Sequence, residues 1–128
     1  MKKDEIIKYW VDSSDIDFEA MDSLLNNNHY VWALFVRHLV IEKLLKAYYI
    51  KAVDSNFPRI HHLLQIAERS GLALSDSQKD FLLEVTTFNL RARYPDYKQR
   101  FYKKVTKDFA VQYIRKIKEF RLWLLKKI

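Results

Sequence analysis

The sequence predicts an all-α protein, an up-and-down bundle of four to five helices that forms a single domain over residues 1–128. Hydrophobic residues make up 49% of the 128 residues, which is enough for a buried core. Apolar side chains recur with a helical period through most of the chain. One glycine and two prolines are too few turn residues for an all-β or loop-rich fold.

The first two predicted helices form the N-terminal part of the bundle. The first runs from about residue 3 to 26, with Trp10 expected in the core and either Ile16 or Asp17 facing inward. The segment Asn26–His29 interrupts the pattern, because asparagine favours turns over helix interiors. The second helix, from about Tyr30 to Val53, is apolar almost all round, which indicates the central buried helix.

Three polar residues on this second helix, His38, Glu42 and Lys46, are spaced four residues apart and share one narrow stripe. Glu42 and Lys46 have the acid-first spacing that favours an ion pair. A carboxylate on so apolar a helix is costly unless it is paired or faces a cavity or a partner. Two interpretations stay open: a buried network that fixes helix packing, or residues that line a ligand cleft or a dimer interface.

Two further helices follow a turn that ends at Pro58. A short third helix is predicted from about residue 61 to 70, where Gly71 is a natural C-terminal cap. Ser75-Asp-Ser-Gln78 has the capping-box pattern and begins a fourth helix, which runs to about Ala92. Its expected apolar face includes Phe81, Leu82, Val85 and Phe88, with Leu90 as a further candidate.

The segment Arg91–Tyr97 (RARYPDY) ends the fourth helix near Arg93–Tyr94, because Pro95 lacks a backbone N–H and displaces the preceding residue from the α region. Guanidinium and phenol groups together suit phosphate and base recognition. The alternative is a helix end with a solvated, salt-bridged surface. The predicted nucleotide- or phosphate-binding residues are Arg91, Arg93, Tyr94, Asp96, Tyr97, Lys98 and Arg100.

A fifth helix is predicted from about Val105 to Lys127, with a core stripe of Phe109, Tyr113, Ile114, Ile117, Phe120 and Leu124. Basic residues are concentrated in this part of the chain. Residues 1–88 hold 10 basic and 13 acidic residues, a net charge of −3, whereas residues 89–128 hold 13 and 3, a net charge of +10. Such asymmetry favours an anionic partner, although basic residues also simply solvate the outer face of a helix.

Several functional classes are excluded by composition. The chain has no cysteine, so it holds no disulfide, thiolate metal site or cysteine nucleophile. A single glycine excludes glycine-rich phosphate loops. His61 and His62 are adjacent and point about 100° apart on a helix, so they are expected to cap a helix or lie at the surface rather than share a metal. No metal or cofactor is predicted, and without a signal or membrane segment the expected location is the cytoplasm.

Several motifs in their order along the chain resemble the HEPN domain family, whose name denotes a nucleotide-binding domain of higher eukaryotes and prokaryotes. They are the early Trp10, Phe35-Val-Arg-His-Leu-Val-Ile-Glu-Lys-Leu-Leu-Lys-Ala47, Pro58-Arg-Ile-His-His-Leu63 and Ala92-Arg-Tyr-Pro-Asp96. The family tends to have Thr-His-Asp-Leu after the proline, so Ile60-His-His-Leu63 is a looser match. The resemblance covers nearly the whole chain.

This resemblance implies a compact helical bundle, usually a symmetric homodimer. Many small prokaryotic members act with a minimal nucleotidyltransferase as a toxin–antitoxin pair. Nuclease members carry an arginine followed four to six residues later by a histidine, which together cleave RNA. This chain departs from that pattern, because its last histidine is His62 and no histidine follows Arg91, Arg93 or Arg100.

The resulting prediction is a non-catalytic module that binds a nucleotide, RNA or a protein partner, is a homodimer, and acts with a nucleotidyltransferase. The alternative is a metal-independent RNase toxin with an atypical active site. A third hypothesis is general nucleic-acid binding through the basic C-terminal helix, which would weaken steeply with salt.

Overall fold

The structure, a computed structural model, describes residues 2–94 and 100–128. It confirms the all-α fold: this part of the chain contains six helices and no β-strand. The helices are α1 (Lys3–Asn26), α2 (Tyr30–Ala52), α3 (Leu63–Arg69), α4 (Asp76–Arg93), α5 (Arg100–Lys104) and α6 (Lys107–Leu125).

Helices α1 and α2 form the hairpin that the asparagine-rich turn predicts. Asn28 has a φ of 65°, a left-handed conformation that asparagine tolerates better than most residues. Polar contacts also join the helices. Ser14 Oγ donates a buried hydrogen bond of 2.8 Å to the carbonyl of Val40, and Lys43 Nζ lies 2.7 Å from Asp17 Oδ2. Asp17 therefore takes the inward position and leaves Ile16 exposed.

The central position predicted for α2 is confirmed. It packs against α1, α3, α4 and α6, and its apolar side chains Leu34, Ile41, Leu44, Leu45 and Ile50 are fully buried. Full burial of each such side chain contributes about 1.5–3 kcal/mol relative to exposure. An apolar surface on every side is thus what a helix with four helical neighbours requires.

The caps predicted for α3 and α4 are also present. His62 Nδ1 accepts a hydrogen bond from the backbone N–H of Gln65 at the start of α3. Gly71 follows α3 with a φ of 76°, the left-handed conformation that favours glycine. Ser75 and Gln78 make both reciprocal bonds of the capping box. These local motifs fix where the short third helix ends and the fourth begins.

The C-terminal part differs from the sequence prediction in two details. α4 ends at Arg93 as expected, but the basic stretch after the proline contains the additional helix α5. Its Phe101 is buried against Phe88, with ring centroids 4.9 Å apart, so tertiary packing stabilises a turn that periodicity does not reveal. Thr106 caps α6 by accepting from the N–H of Phe109, so α6 begins two residues after the predicted start.

Some predicted core positions are more exposed than expected. Leu90 is 57% exposed, because the inner face of α4 passes through Val85, Phe88 and Asn89. Trp10 is partly buried, edge-on to Phe57. On α6 the fully buried position near the start belongs to Ala110, while Phe109 and Tyr113 are only partly buried.

Candidate functional site

The polar stripe of α2 lies under the segment that connects α2 to α3. His38, Glu42 and Lys46 are 4%, 5% and 8% exposed, so all three are removed from bulk solvent. A buried charge is tolerated where it is paired and hydrogen-bonded. Each of the three has a partner within the described chain, and the partners come mainly from residues 57–61.

His61 ties this connecting segment to α2 through two different groups. Its backbone carbonyl lies 2.9 Å from His38 Nε2, so the imidazole of His38 donates to it. Its own imidazole Nδ1 lies 2.5 Å from Glu42 Oε1. The His61 side chain nevertheless remains 78% exposed. The result is a solvent-accessible imidazole whose orientation is fixed by a buried carboxylate.

Lys46 closes the other end of the stripe. Its Nζ lies 3.6 Å from Glu42 Oε2 and within 5.3 Å of the ring centroids of both Trp10 and Phe57. Cations over aromatic faces are stabilised by the ring quadrupole. Arg59 also lies over Phe57, at 6.0 Å, but is exposed. Lys46 is therefore enclosed by its partners, whereas Arg59 is accessible from solvent.

Burial and neighbouring charges together determine the pKa of His38. Burial lowers the pKa of His38, Glu42 and the bond to the His61 carbonyl oppose that change, and the charges of His61 and Arg93 lower the pKa further. His38 is thus a neutral donor at neutral pH. Arg93, from the end of α4, acts on the same buried imidazole as the His61 segment.

The two arginines of the RARYPDY segment are not brought together. Arg93 lies over Phe35 of α2, with its guanidinium carbon 5.7 Å from the ring centroid. Arg91 lies over Phe101 of α5 at 5.0 Å. Both are exposed, and Tyr94 is 78% exposed. Arg93 therefore contacts α2, the helix that carries the His38–Glu42 network, while Arg91 contacts α5.

The other predicted ligand residues have different positions. Arg100 is the first residue of α5. Asp96, Tyr97 and Lys98 lie outside the described residues. The assignment of the whole segment to ligand binding stays a prediction, and the geometry favours Arg93 as its central member.

Arg37 is a structural anchor that the sequence prediction did not use. It is fully buried, its Nη2 lies 2.7 Å from Glu84 Oε1, and its guanidinium lies over Phe88 and Tyr113. Burial lowers the pKa of Arg37, and the hydrogen bond and charge of Glu84 oppose that effect. It joins α2, α4 and α6. The sequence signal that could have identified this buried residue is the presence of an arginine within the largely apolar stretch Tyr30–Ile41.

An aromatic cleft adjoins Arg93 on the side of the α1–α2 turn. Its volume is about 400 Å³, and among the described residues it is lined by His29, Tyr30, Val31, Trp32, Ala92 and Tyr102. A larger groove of about 700 Å³ lies between α4 and α6, with Glu84, Tyr113 and Trp123 in its walls.

Within residues 2–94 and 100–128, no three His, Asp or Glu side chains are arranged to hold a metal ion.

The fold and the site together define a class of protein: a small all-α bundle with a polar network on its central helix. The family model described as HEPN domain matches residues 7–128, so the chain belongs to the HEPN domain family. No curated protein and no solved structure matches the chain. Membership supports a nucleotide- or RNA-related module. No helix in the described ranges has the length and hydropathy to cross a bilayer.

Proposed function

We propose that this protein is a non-catalytic nucleotide- or RNA-binding HEPN module. Its phosphate-contact surface is centred on Arg93 and includes the exposed side chains of Arg59 and His61. Family membership supports the ligand class. The net charge of +10 in residues 89–128 supports an anionic ligand.

The placement of Arg93 is the observation that carries this proposal. Its guanidinium is held over the Phe35 ring, which restricts its conformations, and within residues 2–94 and 100–128 no acceptor is paired with its N–H donors. A guanidinium with free donors binds phosphate in a bidentate manner. His38 and Lys46 are excluded from direct contact because they are enclosed by Glu42, His61 and aromatic rings. Of the two interpretations of the α2 stripe, the geometry therefore favours the packing network.

Binding is tested with a fluorescent single-stranded RNA of about 12 nucleotides, measured by anisotropy at low and moderate salt. Replacing Arg93 with alanine should weaken binding about ten- to a hundredfold, since one charge-assisted phosphate contact contributes on the order of 1.5–3 kcal/mol. Arg69→Ala is the matched control, because Arg69 is exposed at the far end of α3. Equal affinities for the two variants would contradict the proposal.

Arg115→Ala in the same assay separates this surface from general binding along α6. Arg115 is exposed on that basic helix. If binding is a diffuse effect of the basic C-terminal region, Arg115→Ala and Arg93→Ala should weaken it equally. If the Arg93 surface is specific, only Arg93→Ala should have a large effect.

The proposal includes the partners that the family resemblance implies: a second copy of the chain and a minimal nucleotidyltransferase, in a toxin–antitoxin-like pair in the cytoplasm. A small nucleotidyltransferase gene beside this one, followed by co-purification of the two products, is the expected result. Light scattering of the pure protein should give the mass of a dimer at micromolar concentration. A monomer under those conditions would remove the homodimer from the proposal.

A second candidate function, metal-independent RNA cleavage, is favoured by the Glu42–His61 pair. When Nδ1 of an imidazole donates to a carboxylate, Nε2 is left as the proton acceptor, the arrangement used by general bases. Nε2 of His61 would take the proton of a ribose 2′-hydroxyl. The oxygen of that hydroxyl attacks the adjacent phosphorus to form a 2′,3′-cyclic phosphate, and the 5′-oxygen that is expelled takes a proton from water. The Arg…His spacing of the nuclease members is not needed for this, because His61 reaches the site from another segment.

This candidate is tested by incubating the pure protein with single-stranded RNA in EDTA. Cleavage that falls about 10²-fold or more in His61→Ala, but persists in His62→Asn, would support it. The His62→Asn control retains a side chain suited to capping α3. RNA with 2′-O-methyl groups should stay intact. Absence of cleavage by the wild-type protein would reject this candidate and leave only the non-catalytic binding function.

A further inference from the structure

The aromatic cleft beside Arg93 has the composition of a nucleobase site. Its walls include Tyr30, Trp32 and Tyr102, and its volume of about 400 Å³ falls within the range of about 300–1,000 Å³ that is typical of small-ligand sites. Trp32 is 60% exposed. Its ring is therefore accessible to a ligand that enters the cleft.

The cleft and Arg93 are linked through shared neighbouring residues. Trp32 packs edge-on against Phe35, with ring centroids 5.8 Å apart, and the guanidinium of Arg93 lies over that same Phe35 ring. Ala92, the residue before Arg93, forms part of the cleft wall. A flat aromatic ligand in the cleft would therefore have a cation at its edge. A base linked to a phosphate has this combination of groups.

The polar atoms of the cleft suit a base edge. Tyr102 Oη donates a hydrogen bond to the carbonyl of Ala92 at 3.3 Å, and Tyr30 Oη donates to Asn28 Oδ1 at 2.9 Å. Each phenol hydrogen is thus engaged, so each phenol oxygen is left with lone pairs that accept hydrogen bonds. Exocyclic amino groups of bases are donors that match them.

We propose that this cleft binds one unstacked nucleobase, held against Trp32 and Tyr102, while the attached phosphate contacts Arg93. The inference rests on the proposed binding function and specifies its ligand as single-stranded RNA or a free nucleotide. Bases in a duplex are stacked on their neighbours and are not available to such a cleft, whereas bases in single strands stack readily on exposed aromatic side chains.

The test compares RNA affinity in three variants. Trp32→Ala should weaken binding of the single-stranded RNA about tenfold, because it removes the stacking surface, while Trp32→Phe should retain most of the affinity. Leu122→Ala is the matched control, since Leu122 is 57% exposed on α6. An RNA containing 4-thiouridine should crosslink to the peptide that contains Trp32 or Tyr102.

Adenosine 5′-monophosphate distinguishes the two sources of the base. If it displaces the RNA from the wild-type protein and binds Trp32→Ala more weakly than the wild type, the cleft takes free nucleotides. If it does not, while Trp32→Ala still weakens RNA binding, the ligand is single-stranded RNA. Either result supports a base in the cleft.

Three outcomes would overturn the inference. Loss of RNA binding in Arg93→Ala with none in Trp32→Ala would remove the base site and leave the proposed function standing. A change in Trp32→Ala from dimer to monomer, with RNA affinity unaltered, would identify the cleft as an interface between copies of the chain. Failure of the wild-type protein to bind RNA or nucleotide would overturn both the inference and the proposed function.

Discussion

Arg37 of α2 contacts residues of α4, and Arg93 of α4 contacts a residue of α2. The two arginines differ in their burial. Arg37 extends from α2 into a fully buried position between Glu84, Phe88 and Tyr113. Arg93 extends from α4 over Phe35 and stays exposed. A buried guanidinium must have a carboxylate partner, whereas an exposed one keeps its donors for a ligand. Arg37 is therefore expected to govern stability and Arg93 binding.

Replacing Arg37 with alanine tests the structural side of this comparison and should have the largest effect. We expect the free energy of unfolding, measured by urea denaturation, to fall by about 3–5 kcal/mol, because Glu84 loses its partner and a cavity is left. The double variant Arg37→Met with Glu84→Gln should recover part of that loss. A decrease below about 1 kcal/mol would mean that Arg37 behaves as a surface residue.

Glu42→Ala is expected to have the next largest effect, a loss of about 2–3 kcal/mol, because the buried ammonium of Lys46 is left without its carboxylate. Glu42→Gln should cost less, since it keeps an acceptor for His61 Nδ1. Hydrogen exchange of residues 53–62 should become faster in Glu42→Ala. Unchanged exchange there would show that the backbone bond to His38 holds the segment alone.

The pH dependence of stability should reveal His38. Its pKa is lowered from the ordinary value of 6.5 in the folded protein, so the unfolded chain binds the proton more readily in the window just below pH 6.5. The free energy of unfolding is therefore expected to fall as the pH drops from about 6.5 through the folded pKa.

The variant His38→Gln isolates this effect. It keeps a donor for the His61 carbonyl but does not titrate, and Glu42, His61 and Arg93 are present in both proteins. The difference in unfolding free energy between wild type and variant should change between about pH 7.5 and pH 5.5. A constant difference would contradict the assignment.

Arg93→Ala should have the smallest effect on stability, within about 0.5 kcal/mol. Its effect is expected in ligand binding instead. The slope of log affinity against log salt concentration should decrease by about 0.7–1 relative to wild type if one phosphate contact is lost. Arg91→Ala, whose side chain lies over Phe101, should leave the slope nearly unchanged. Equal slopes for the two variants would show that the separation of these arginines has no functional meaning.

The helices and their caps could be predicted from the sequence because they depend on local chemistry. The capping box of Ser75, the glycine at position 71 and the helix end before Pro95 each act within a few residues, and the structure has α3 and α4 where these signals place them. The short helix α5 could not be predicted, since it depends on the packing of Phe101 against Phe88 from another helix.

The site was less predictable, because its geometry depends on tertiary contacts. Spacing on α2 was sufficient to group His38, Glu42 and Lys46, since a helix fixes residues four apart on one side. The pairing of Glu42 with His61 requires the connecting segment to fold back on α2, and no local signal encodes that. The closeness of Arg91 and Arg93 in the sequence also suggested one surface, although residues two positions apart on a helix point in different directions.

Position 61 is tied to α2 by its main chain as well as by its side chain. The carbonyl that accepts from His38 is present whatever residue occupies position 61, whereas the contact with Glu42 is specific to histidine. A substitution at this position therefore removes an ionisable group and the contact with Glu42, while the backbone contact with His38 is retained. In evolutionary terms, a proton-transfer group can be gained or discarded here at the cost of one side-chain contact, while the main-chain contact with α2 is kept.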